Sequence, residues 1–415
     1  MTATAAPVSR RRLQRHLERR LRPLYVTGFL QAFAFWYAIE KEFQVSIGFS
    51  AFTITLATVI YNAFMAAANT PLGILTDRWS RKGVLHLATC ALILASLLCG
   101  LSNGFWLYAA GLAVWGLYYG CYDGIYDSLF WDVLIEDAGT ADAFQDYYGR
   151  WQRNYAAAMI TGAVLSAGLS QIVSLRTEFF LTVPVTCCAF FSLRGFREPL
   201  LHKAQTSRLG VHVTQVLRAV ASREARWVAA ALVVNMVAMR LIFEFMQLWY
   251  IGLGLASWLF GVSFACVYCG SFLAGQFGNR LRKSAAALTG LVTVSASTGL
   301  LTRIPVVTVG AQIAAIAGII ALQSVLFGCL HEAIPSSSIR AGTSSVVGTA
   351  SMVLLMPIAL GFGFVARQRG IFPASWFVVG LLAAMTALLA RICLTPERND
   401  PSRIERHSQR PDPIG

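Results

Sequence analysis

Charge is scarce in this chain. Only 13% of its 415 residues are Asp, Glu, Lys or Arg, about half of what a water-exposed globular surface carries. That scarcity excludes an ordinary soluble domain, because too few polar side chains remain to cover it. Catalytic signatures are missing too. The six histidines, His16, His86, His202, His212, His331 and His407, are scattered. There is no H-E-x-x-H zinc motif and no G-x-x-x-x-G-K-[ST] phosphate loop. The expectation is therefore no catalytic residues, no metal, no cofactor and no use of ATP within the chain: not an enzyme. The nine cysteines fall mostly in apolar stretches, and even Cys266-x-x-Cys269 reads as apolar filler. No cleavable signal is expected, because the basic first residues run directly into a full-length apolar span. Lysine is rare, with Lys41, Lys82, Lys203 and Lys283 the only four among 34 basic residues. Such arginine bias fits a GC-rich bacterial genome, and hence a plasma (inner) membrane.

What is abundant is apolar length. The chain is 56% hydrophobic, with a mean hydropathy of +0.59. A spanning helix needs about 20 apolar residues. Twelve spans are predicted, at 23–42, 50–75, 84–102, 105–131, 152–173, 177–195, 227–250, 255–278, 284–302, 305–332, 343–366 and 373–394. The expected fold class is an all-α integral membrane protein with 12 transmembrane helices. Its expected organisation is a basic cytoplasmic tail over 1–22, a six-helix half over 23–195, a cytoplasmic linker over 196–226, a second six-helix half over 227–394 and a tail over 395–415. In the linker, Leu209, Val213, Val216, Leu217 and Val220 recur at helical spacing, which reads either as an amphipathic helix on the membrane face or as a plain tether. The net charge of +14 follows topology. With both termini cytoplasmic, 28 of the 34 basic residues fall on the inner side, 5 on the outer side, and Arg240 within a span. The partner this charge implies is the lipid bilayer, not nucleic acid.

Two loops repeat. Between spans 2 and 3 the chain reads Gly73-Ile-Leu-Thr-Asp77-Arg78-Trp-Ser-Arg81-Lys82; between spans 8 and 9 it reads Gly275-Gln-Phe-Gly-Asn279-Arg280-Leu-Arg282-Lys283. Each joins the second and third spans of a six-span half, the arrangement of a transporter with a pseudo-two-fold axis along the membrane normal. These residues resemble the loop signature of the major facilitator superfamily, departing from it at Ser80, where glycine is usual. The stretches Asp123–Leu129 and Glu332–Ser345 resemble bacterial drug-exporter-type members. The resemblance implies two pseudo-symmetric halves (the MFS fold), a monomer, and a conformational latch built on Gly73, Asp77, Arg78, Arg81, Lys82 and Asp127. Asp77 is expected near the start of span 11, and Arg78 on Asp127 or Asp132. Helix 5 lacks the Gly-Pro motif common in family antiporters.

Ionisable groups at membrane depth are costly and default to functional candidates. Asp123 and Asp127 are expected at i and i+4 on one face of helix 4, and Arg240 and Glu244 likewise on helix 7. The proton-coupling candidates are Asp123, Glu244 and Glu40. The competing structural reading pairs Arg240 with Glu244 and bonds Asp123 to a neighbouring helix. Substrate-cavity candidates are Tyr37, Tyr119, Arg240, Phe243 and Gln247, since flat aromatic faces bind apolar or cationic compounds. The expected function is secondary active transport, with protons coupled to export of a small amphipathic substrate by alternating access. The alternatives are an uptake symporter or facilitator, and a transport-inactive sensor or scaffold.

Overall fold

In the computed structural model the described residues are 10–122, 124–199, 218–222, 225–278, 285–334 and 337–394, with side chains described except at 10, 70, 73–78, 276–278, 337–342, 393 and 394. The expected linker helix lies largely outside them. Every regular element among the described residues is helical. The α-helices are α1 Arg10–Ala32, α2 Glu40–Ser46, α3 Ala51–Arg78, α4 Arg81–Leu101, α5 Phe105–Tyr122, α6 Ile125–Ala138, α7 Phe144–Leu169 and α8 Leu175–Arg194, followed by α9 Ala225–Gly252, α10 Ser257–Gly278, α11 Ala286–Ser297, α12 Pro305–Glu332, α13 Ser337–Arg369, α14 Ile371–Ala374 and α15 Trp376–Leu394. Joined where they break, these described helices make twelve rods, six on each side of the 196–226 segment. Seven helices among the described residues are long and apolar enough to cross a membrane unaided. The remaining rods are shorter pieces or carry charges at their ends, and packing completes them.

Three rods expected to be continuous are broken, the last of them by a one-residue turn at Ser375 between α14 and α15. Helix 1 stops at Ala32, passes through a 3₁₀ turn over Phe35–Ala38 and resumes as α2. Helix 4 breaks at Gly124, whose φ of 77° belongs to the left-handed region that glycine adopts freely. The expected i, i+4 face of Asp123 and Asp127 falls at this break. Asp123 lies outside the described residues, and Asp127 sits in the first turn of α6. At the other extreme, α1 begins at Arg10 instead of residue 23. Leu17 and Leu21, inside the stretch expected to be a tail, are buried. Prolines at 23, 71, 184 and 357 sit within helices, which neighbouring helices make tolerable.

An even number of rods brings both ends of the helical bundle to one side, here called the terminal end; the opposite side is the distal end. Near the distal end the halves meet where α3 packs on α13 and α7 on α10. Both contacts need glycine. A Cβ on Gly363 of α13 would run into the Thr55 side chain, and one on Gly261 of α10 would lie 2.7 Å from Ala167 Cβ. Small residues at such crossings let helix backbones approach closely.

Candidate substrate cavity

Breaking helix 1 frees backbone groups inside the bundle, and each buried one needs a partner. The N–H of Phe35 donates to Thr182 Oγ1 of α8 at 3.2 Å. Gln247, from α9 in the other half, supplies the rest. Its Oε1 accepts from the N–H of Lys41 at 2.8 Å, and its Nε2 donates to the carbonyl of Tyr37 at 2.7 Å. One buried amide thus staples the broken rod of the first half to the second half. Ser257 of α10 adds a third link across the seam by donating to Glu42 Oε1 at 2.5 Å.

Below this staple lies a cavity of about 200 Å³ between the halves. Its first-half wall is Tyr37, Glu40, Tyr61, Trp115, Tyr119 and Met159; its second-half wall is Phe243, Glu244, Gln247, Phe264 and Tyr268. The aromatic rings hold one another in place. Trp115 touches Tyr37, Tyr61 and Tyr119 with ring centroids 5.6, 4.9 and 5.6 Å away, and Phe264 stacks on Tyr268 at 4.7 Å. Flat aromatic walls that also carry tyrosine hydroxyls, an amide and two carboxyl groups are the chemistry of a small-ligand site.

The two carboxylates on the wall differ. Glu40 is committed: its Oε1 accepts from Lys41 Nζ at 2.8 Å, Gln44 Nε2 at 2.9 Å and Tyr108 OH at 3.4 Å. Glu244 has no such partner. It forms no ion pair with Arg240 among the described residues. Lys41, Glu40 and Arg240 are the charges near enough to act on it.

Of the residues expected to form the cavity, Tyr37, Tyr119, Phe243 and Gln247 line it, as do Glu40 and Glu244. Arg240 does not. It sits one helical turn, about 6 Å, nearer the terminal end, within electrostatic reach of Tyr61. The side chains of Asp77 and Arg78, and the surroundings of Gly73, lie outside what is described. The rest of the expected latch works within the first half. Asp132, expected as a partner for Arg78, forms an ion pair with Arg81. Lys82 Nζ donates to the carbonyls of Arg194 and Phe196 at 3.0 and 2.7 Å. Asp127 Oδ1 accepts from the N–H of Ser128 at 2.8 Å. Ser80, where the signature has glycine, caps α4 by accepting from the Gly83 N–H at 2.8 Å and donates to Glu198 Oε2 at 2.6 Å.

Lys41 was missed. Counted as an outer-loop charge, it is 2% exposed and paired with Glu40. The alternating signs of Glu40-Lys41-Glu42 at the end of a span were the available signal.

Twelve rods in two halves around a shared cavity define a multi-pass membrane transporter. The chain belongs to the Major Facilitator Superfamily, whose model matches residues 23–256. No curated protein matches the sequence significantly. Solved structures share the fold. The nucleoside transporter NupG superposes with a TM-score of 0.71 at 12% identity, covering 91% of this chain and 98% of that one. A D-xylose-proton symporter gives 0.67 at 12% identity, covering 92% and 99%. A bacterial homologue of the human lysosomal transporter Spinster, in an inward-facing and occupied conformation, gives 0.67 at 14% identity, covering 97% and 99%. The family and these neighbours mark secondary transport of small molecules, not enzymatic catalysis.

Proposed function

We propose that this protein exports a small amphipathic compound across the plasma membrane in exchange for protons, with the cavity facing each side in turn. One observation carries the reading: Glu244 lines an aromatic cavity between the halves and has no ion-pair partner there. A lone carboxylate at membrane depth is costly as an anion, which makes it the group to carry a proton through the cycle. The aromatic walls suit a compound with a flat apolar face. The basic residues concentrate toward the terminal end, which is the cytoplasmic side in this reading. Twelve rods then act as two six-helix bodies, 23–195 and 227–394, rocking about the cavity. The 1–22, 196–226 and 395–415 segments face the cytoplasm, and one chain suffices for the cycle.

Inside-out vesicles with an acidic interior test this. A panel of cationic, neutral and anionic amphiphiles is added while the pH gradient is followed, for wild type, Glu244→Gln and Asp123→Asn. Substrate-dependent proton release in wild type, lost in Glu244→Gln, supports the proposal. Loss in Asp123→Asn alone moves the proton site to Asp123. Proton and substrate moving in the same direction replaces export with uptake. No response to any compound from folded protein sinks the coupled-transport reading.

A further inference from the structure

A second set of carboxylates lies away from the cavity, in the distal seam. Glu178, in the first turn of α8, is completely buried. Its Oε2 accepts from Ser166 Oγ of α7 at 2.5 Å, and its Oε1 has no hydrogen-bond partner. Glu42 on α2 lies alongside: the residues next to the two acids, Phe43 and Phe179, pack with ring centroids 4.8 Å apart, and the two charges act on each other. Glu42 repeats the pattern: Oε1 accepts from Ser257 of the other half, and Oε2 is buried without a partner.

Among the described residues no cation pairs with either group. On α2, Lys41 is spent on Glu40. On α8, the Arg176 guanidinium donates to the carbonyls of Gly100 and Ser102 at 3.0 and 2.9 Å and to Asn103 Oδ1 at 2.7 Å. It also lies over the ring of Phe43, 5.6 Å from its centroid. From α5, Tyr108 turns its hydroxyl to Glu40. The groups reaching the pair from α7 and α10 are the neutral serines 166 and 257. Two anions with orphaned oxygens in one dry seam repel each other and lack solvation, and a bound proton relieves both costs.

We infer that Glu42 and Glu178 form a proton-binding pair that holds the distal end closed. This rests on the transporter reading but not on Glu244 being the coupling residue. As α10 packs against α7, Ser257 reaches Glu42, water leaves, and the pair takes up one proton from the distal aqueous phase. As the seam opens, Glu42 loses Ser257 and regains water, and the proton returns to that phase. One carboxyl O–H bond forms on closing and breaks on opening, with the distal water as source and sink of the proton. The pair, and neither residue alone, is the titrating unit. The distal end therefore closes at acid pH and opens at alkaline pH.

The test measures a spin–spin distance across the seam in the full chain in lipid nanodiscs. Labels on ketone amino acids at Ile172 and Val306, 78% and 83% exposed, leave the native cysteines in place. The wild-type distance should lengthen from acid to alkaline pH. Glu42→Gln/Glu178→Gln should stay at the short distance throughout, because glutamine mimics the protonated acid. Asp146→Asn, at an exposed carboxylate in the first turn of α7, should respond like wild type. A wild-type distance that ignores pH, or a double variant that still follows it, overturns the proposal, as does loss of the response in Asp146→Asn. Should the double variant fail to fold, Glu42→Gln and Glu178→Gln separately must each weaken the response, and an unchanged response in either is equally fatal. A pH-responsive seam without proton-coupled flux would sink the function proposed above and leave the pair standing.

Discussion

The two halves follow one topology and are held by different chemistry. In the first, Arg20 spans α1 to α6, reaching Glu136 at 2.9 Å and Asp137 at 2.5 Å. Arg81 holds Asp132, and Lys41 holds Glu40. All ion pairs between described residues lie in this half. In the second half the buried links seen between described residues are neutral. Trp249 Nε1 donates to Ser375 Oγ at 2.9 Å, Tyr250 OH to Gln312 Oε1 at 2.6 Å, and Asn235 Nδ2 to the Ile319 carbonyl at 3.2 Å. Aromatic contacts divide the same way, with a chain of rings from Trp36 through Trp115, Tyr119 and Tyr122 to Trp151 in the first half. Pseudo-symmetry therefore describes the path of the backbone and not the forces along it. One half is anchored by charge and ring packing. The other, with neutral bonds and bare glycines, supplies the surfaces that close against it.

The strongest way to break this comparison is at the closing surface. Gly363→Leu should abolish transport while leaving the folded protein intact, since the added side chain cannot fit beside Thr55. Gly380→Leu, where a Cβ meets open space, should transport at near wild-type rates. Equal activity of the two in the vesicle assay would show that the glycine contact is not needed for closure.

Next comes the ionic frame. Arg20→Ala takes the guanidinium away from Glu136, Asp137 and the Arg197 carbonyl it also serves, leaving His16 against Asp137. Removing one partner of a buried pair costs about 3–5 kcal/mol, and partial exposure here brings the expectation to roughly 2 kcal/mol. Thermal unfolding in detergent should register it as a clear drop in midpoint. Lys41→Met tests the same idea at the cavity wall. It leaves Glu40 with two neutral donors, and should weaken both stability and the pH dependence of transport. If Lys41→Met changes neither, the Glu40 pair is only filler. Smallest is Tyr250→Phe in the neutral half, which removes one hydrogen bond to Gln312 and should cost about 1 kcal/mol. A larger loss for Tyr250→Phe than for Arg20→Ala would reverse the contrast between the halves.

Much of the fold was legible because hydrocarbon imposes a length and a composition on every span. The start at Pro305 and the end at Glu332 of α12 were legible to the residue, with proline at the first helical position, where it fits. Gly124 was visible in the sequence, but its left-handed φ was not, because glycine adopts either sign of φ. Six cavity residues were found from two signals, intramembrane charge and aromatic clustering. Arg240 satisfied the first and still missed the wall, since a single turn of helix moves a side chain off it.

By itself, the sequence determined that this chain lives in a membrane, that it crosses many times in two related halves, and that its few buried charges are where chemistry must be sought. Those conclusions follow from local quantities: apolar run length, charge and short motifs. Only the tertiary structure decided that Lys41 is buried against Glu40, that Gln247 repairs the break in helix 1 from the opposite half, and that Glu178 and Glu42 share a seam without a cation. The reason is physical. A partner far along the chain is chosen by packing, and sequence spacing carries no record of which distant donor will satisfy a buried polar group.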